Sequence, residues 1–103
     1  MLFGNKISLY ECKDYLLTQF KLFDPQIYSE TENSLAIKLF CRSRVVTITI
    51  QQIAKGKVYL DVDDSYFILR IPRGEFKKFD DYKQAIICVQ SKIANDFGAV
   101  ENP

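Results

Sequence analysis

From Leu35 to Ile71 the chain places an apolar residue at every second position, in four runs separated by short polar breaks. Leu35, Ile37, Leu39 and Cys41 form the first run, and Val46, Ile48 and Ile50 follow after Ser43-Arg44. Val58, Leu60 and Val62 come after Lys55-Gly56, and Phe67, Leu69 and Ile71 after Asp64-Ser65. Successive side chains of a strand point to opposite faces, so each run presents one apolar face. An earlier segment around Ile27, closed by a turn near Asn33, adds a fifth strand. Breaks this short permit only antiparallel neighbours, because a parallel crossover needs about a dozen residues or more.

The loops also specify a register. A two-residue loop at Ser43-Arg44 sets Cys41 opposite Val46 and Leu39 opposite Ile48. The same loop length at Asp64-Ser65 sets Val62 opposite Phe67 and Leu60 opposite Leu69. A one-residue slip would turn either strand's apolar set toward solvent, so pattern and loop length agree. Neither loop carries the Asn-Gly or Gly-x chemistry of tight primed turns.

Helical spacing flanks this β region. Ser8 and Glu11 form the S-x-x-E capping box, and Leu9, Cys12, Leu16, Phe20 and Phe23 recur at steps of three and four up to Asp24-Pro25. The residue before a proline is driven out of helical geometry, which predicts a stop there. Pro72-Arg73-Gly74 breaks the last strand, and a second helix starts at Asp80 with Asp81 in its first turn. Tyr82, Ile86, Val89, Ile93 and Phe97 form its stripe, Gly98 suits the position just past its end, and residues 99–103 read as a frayed tail. The expected architecture is α+β: a five-stranded antiparallel meander with an N-terminal and a C-terminal helix packed on one face, in the order α-β-β-β-β-β-α. At 103 residues, the chain reads as a single domain over 1–103.

Composition narrows the chemistry. Histidine is absent, which removes Ser-His-Asp and Cys-His nucleophiles as well as H-E-x-x-H and Cys2His2 zinc sites. A net charge of +1 leaves no electrostatic footprint for sequence-independent nucleic-acid binding. Cys12, Cys41 and Cys88 are odd in number and widely spaced, so they read as reduced core thiols in a reducing compartment. No apolar run approaches the roughly 18 residues of a membrane span, and no basic region followed by an apolar stretch opens the chain. The expectation is a cytoplasmic, non-enzymatic protein without cofactor or metal. Asp61-x-Asp63-Asp64 is the one carboxylate cluster, but it lacks the glycine and distal glutamate of a calcium loop and reads as turn solvation.

The same register reconstructs the other sheet face. One row holds Tyr28, Lys38, Thr49, Asp61 and Ile68, and the next holds Glu30, Ala36, Gln51, Tyr59 and Arg70. A third holds Gln26, Phe40, Thr47, Asp63 and Tyr66, with Arg42 beyond. Large apolar groups such as Phe40, Tyr59 and Tyr66 on an open face point to a protein partner or to a second copy of the chain. Lys38, Arg42 and Arg70 would flank these anchors and set orientation. Competing interfaces are a sheet edge and the acidic hairpin tip at Asp63-Asp64, the latter suited to a basic partner. Aromatics beside basic residues also suggest a single-stranded nucleic-acid platform, against which the acidic residues of the same rows stand.

The layout, with PRGEFKKFDDYKQAIICVQSKIANDF following a strand, resembles small immunity proteins of bacterial toxin–immunity systems, nearest those guarding against contact-dependent growth inhibition toxins. The resemblance is one of size and architecture over the whole chain and carries no residue's role with it. It implies a compact cytosolic domain without catalytic groups that binds one toxin domain and blocks it. The expected function is therefore stoichiometric inhibition by occlusion, with single-stranded nucleic-acid binding on the open aromatic and basic face as the alternative.

Overall fold

The computed structural model describes residues 7–41, 44–64 and 74–97. Helix α1 (Leu9–Gln19) precedes strands β1 (Gln26–Glu30), β2 (Ser34–Cys41), β3 (Arg44–Ala54), β4 (Lys57–Asp64) and β5 (Gly74–Phe76), and helix α2 (Phe79–Phe97) closes the order. The strands form one antiparallel sheet in the order β1-β2-β3-β4-β5, a meander, with both helices on one face.

Burial follows the alternation. Leu35, Ile37, Leu39, Val46, Ile48, Ile50, Val58, Leu60 and Val62 are all at most 5% exposed, whereas the residues between them are not buried. Against them pack Leu9, Cys12 and Leu16 of α1, Phe20 and Phe23 just beyond it, and Tyr82, Ile86, Val89 and Ile93 of α2. Leu69 and Phe97, expected in this core, lie outside the described side chains.

Ser8 caps α1, its hydroxyl accepting the Glu11 N–H at 3.3 Å. The helix ends at Gln19, earlier than Asp24-Pro25 predicts. A single 3₁₀ turn over Lys21–Phe23 follows, closed by the Phe23 N–H on the Phe20 carbonyl at 2.9 Å. Three-residue spacing serves a 3₁₀ turn as well as an α-helix, so the apolar stripe runs through the change without a mark. Asp24 then takes φ 52°, a left-handed conformation that aspartate adopts more readily than most residues, and redirects the chain into β1. Helix α2 starts at Phe79, because the Tyr82 N–H bonds to the Lys78 carbonyl at 3.2 Å; Asp80 and Asp81 both lie in the first turn, where negative charge is favourable.

Two pairings differ from the expected register. Between β2 and β3, Cys41 lies opposite Arg44, Leu39 opposite Val46 and Ile37 opposite Ile48. This is a shift of two residues, which keeps every side chain on its face and so escapes an alternation test. The Lys55-Gly56 connection closes on the pair Ala54–Lys57, with Gly56 at φ 73°, where a β-carbon would be strained. On the far side of β4, Leu60 lies opposite Gly74, not Leu69, and Val58 opposite Phe76. Gly74 thus opens a strand where the sequence suggested a break. The segment is short enough to hide its period, with Glu75 on the open face and Phe76 packed against the core. The expected strand at 67–71 falls outside the described residues.

Candidate protein-binding surface

The sheet face away from the helices is built from the residues between the buried ones. Its rows are Gln26–Lys38–Thr47–Asp63, then Ser29–Ala36–Thr49–Asp61, then Ser34–Gln51–Tyr59–Glu75. Lys38 therefore shares a row with Thr47 and Asp63, not with Thr49 and Asp61, and Phe40 lies beside Val45 instead of Thr47. Tyr59 lies between Gln51 and Glu75, away from Ala36. Each displacement follows from the two-residue shift, which changes neighbours and leaves faces intact.

Lys38 places its ammonium 4.1 Å from the centre of the Tyr28 ring, and Tyr28 itself is 64% exposed. An exposed cation–π contact of this kind contributes about 0.5–1 kcal/mol and holds a long side chain in one place. Tyr28 shared the Lys38 row in the sequence reconstruction but was not singled out as an anchor. Its partner could have been found from that row. Phe40 is 44% exposed near the end of β2, and Tyr59 is half-buried on β4, where Lys57 and Glu75 pair at 3.4 Å. Asp61 and Asp63 share this face, both half-buried, as the alternation requires. Asp64 belongs to β4 opposite Val46 instead of a turn, and its side chain is outside the described set. Arg42, Tyr66 and Arg70 also lie outside the described residues.

Glu30, expected on this face, is on the other. A bulge between Ile27 and Ser29 puts Glu30 opposite Leu35, turned toward α1, where its carboxylate pairs with the Lys13 ammonium. Bulges insert one residue and reverse the alternation beyond them, a change no hydropathy pattern in so short a strand reports.

The helical side holds a cluster that sequence reasoning missed. Tyr15, Phe76, Phe79 and Tyr82 pack with ring centres 5.9–6.3 Å apart, Tyr15 edge-on to Phe79 and Phe79 stacked on Tyr82. The signal was the spacing of three in Phe76, Phe79 and Tyr82, hidden because the second helix was expected to start only at Asp80. Tyr82 is fully buried and its hydroxyl donates to the Cys12 carbonyl at 2.9 Å. Burial pushes its phenol well above the usual tyrosine range, with Cys12 and Tyr15 adding to the effect. The Cys12 thiol is pushed up to about 12, by burial first and by the Glu11 charge second. Cys12 and Cys88 are free thiols, Cys12 buried and Cys88 half-buried.

Among the described residues, no group of three or more histidine, cysteine, aspartate or glutamate side chains converges to hold a metal ion. Among them, too, no helix is long and apolar enough to cross a membrane. Compared with known proteins, the chain matches no family model, no curated protein and no solved structure.

Proposed function

We propose that this protein is a stoichiometric protein-binding inhibitor of the immunity-protein kind, acting in the cytoplasm by covering a toxin domain and catalysing nothing. The observation that carries the proposal is the sheet's second face, on which no described helix packs and which displays Tyr28, Phe40 and Tyr59 around Lys38, Asp61 and Asp63. Aromatic side chains provide large contact area at low entropic cost, and they dominate measured interface energies. The charges around them are of both signs, Lys38 and Asp63 within one row. Such a mixture complements a mixed-charge protein surface and offers no uniformly positive field to the backbone of a nucleic acid. The buried faces of the same strands hold the rows rigid, so little order has to be gained on binding.

A toxin domain encoded beside this chain and produced with it should form a stable complex and lose its activity. Tyr28→Ala, Phe40→Ala and Tyr59→Ala, made singly, should each keep a cooperative thermal melt. At least one should weaken the complex by about 2 kcal/mol or more in calorimetry, the size expected of an interface anchor. Unchanged affinity in all three would remove the sheet face from the interface. Tight binding to single-stranded nucleic acid with a steep loss in salt would remove the inhibitor reading in favour of a nucleic-acid-binding domain.

A further inference from the structure

A groove on the helical side has a chemistry that the open sheet face lacks. Tyr10, Glu11, Asp14, Tyr15 and Thr18 of α1 and Phe79 of α2 line a space of about 290 Å³. Tyr10 is 77% exposed, and among the described residues its ring stacks on no other and carries no cation. Glu11 and Asp14 are exposed and lie one helical turn apart, on the face of α1 opposite its buried stripe. Neither carboxylate makes a salt bridge to a described residue. Of the nearby ammonium groups, Lys13 pairs with Glu30, while Lys83 pairs with Asp80 and lies 5.1 Å from the centre of the Phe79 ring, at the groove's inner end. No basic side chain lines the groove.

The open ring of Tyr10, with two carboxylates beside it at the rim, is complementary to an organic cation; Phe79 is already stacked on Tyr82 and covered by Lys83. Ring faces attract a positive charge through their quadrupole, and a carboxylate takes a guanidinium through two parallel hydrogen bonds. Phosphates and carboxylates would be repelled. Arginine fits better than lysine, because its flat, weakly hydrated head both stacks on aromatic rings and forks onto carboxylates. The groove does not end at Tyr10. Tyr10 also borders a second cavity of about 430 Å³, lined by Lys13, Glu30, Glu32 and Gln52 among others. Tyr10 belongs to both spaces, so a chain that crosses it could continue from one into the other, with Glu32 as a further acidic contact. We propose that this groove receives the guanidinium of an arginine in a basic polypeptide segment that runs across Tyr10. The groove lies on the helical side of the sheet and does not rest on the sheet-face interface proposed above.

The test is titration of the isotopically labelled protein, by two-dimensional NMR, with a short capped peptide carrying one arginine between glycines and serines. Its citrulline counterpart, which has the same shape without the charge, and methylguanidinium are titrated in parallel. The arginine peptide should shift the amides of Tyr10, Glu11, Asp14 and Phe79, and citrulline should weaken binding by about tenfold or more. Glu11→Gln with Asp14→Asn, two exposed changes that leave the Ser8 cap bond to the Glu11 amide in place, should weaken it comparably, and so should Tyr10→Ala. Equal binding of the arginine and citrulline peptides, or no shifts at millimolar peptide, would overturn the proposal. Methylguanidinium binding as tightly as the peptide would also overturn it, since the site would then take a small cation and not a polypeptide.

Discussion

Tyr82 offers a clean separation between what a buried ring contributes and what its hydroxyl contributes. Tyr82→Phe removes only the bond from the hydroxyl to the Cys12 carbonyl, 2.9 Å long and buried. That carbonyl lies inside α1, where an oxygen with two lone pairs still accepts the helical N–H, so no acceptor is orphaned. The loss should sit near the value of an ordinary net hydrogen bond, about 0.5–1.5 kcal/mol. In a domain of this size each kcal/mol lowers the melting temperature by roughly 4–8 °C. Tyr82→Ala instead removes a fully buried ring in contact with Tyr15, Phe76 and Phe79, and should cost about 3–5 kcal/mol. Against a typical domain stability of about 5–15 kcal/mol, that leaves the fold marginal. Urea unfolding followed by circular dichroism measures both, and the phenylalanine variant should keep the wild-type slope. Equal small losses for the two variants would refute the packing of α2 on α1 described above. A phenylalanine variant as damaged as the alanine variant would mean that the Cys12 carbonyl depends on that hydroxyl alone.

Ile48→Ala or Leu60→Ala should cost about 2–5 kcal/mol and Thr49→Ala under about 1, because the first two are fully buried and the third faces away from the helices. Equal losses in chemical denaturation would mean that the two faces are reversed. A thiol reagent should label native Cys88 faster than Cys12, which burial keeps protonated and enclosed; the reverse order, read by mass spectrometry, would refute the burial of Cys12. Unfolded Cys12 and Tyr82 lose their protons near pH 9.0 and 10.0, while the folded chain holds both protons to higher pH, so stability should fall as pH rises from about 9 towards 12. Cys12→Ala should flatten the lower part of that decline in a series of thermal melts.

The alternation from Leu35 to Val62 was sufficient to separate buried from open positions, since parity alone decides which way a strand side chain points. Parity cannot see a shift of two, and for that reason Leu39 faces Val46 where loop length had suggested Ile48. It also cannot see the bulge in β1, which carries Glu30 to the helical side. The end of α1 was obscured because Phe20 and Phe23 satisfy an α-helical and a 3₁₀ spacing alike. Strand β5 is three residues long and offers no period to read. The pairing of Tyr28 with Lys38 was legible as a neighbourhood, whereas the groove at Tyr10 depends on Phe79 arriving from the other end of the chain. Contacts of that separation leave no trace in local pattern.

Strands β2, β3 and β4 carry two interleaved messages, one on the residues that meet the helices and one on the residues between them. A substitution at Ala36, Thr47, Thr49 or Tyr59 changes what the molecule displays while the neighbouring Ile37, Ile48 and Leu60 keep the fold in place. Changes at these half-buried open-face positions should cost under about 1 kcal/mol, while those at the buried positions cost about 2–5 kcal/mol. Lineages of this chain can therefore drift apart in surface chemistry, position by position, without passing through unfolded ancestors. That drift is constrained at the Lys38–Tyr28 contact and at the Lys57–Glu75 pair, where one open-face residue leans on another and the two must change together.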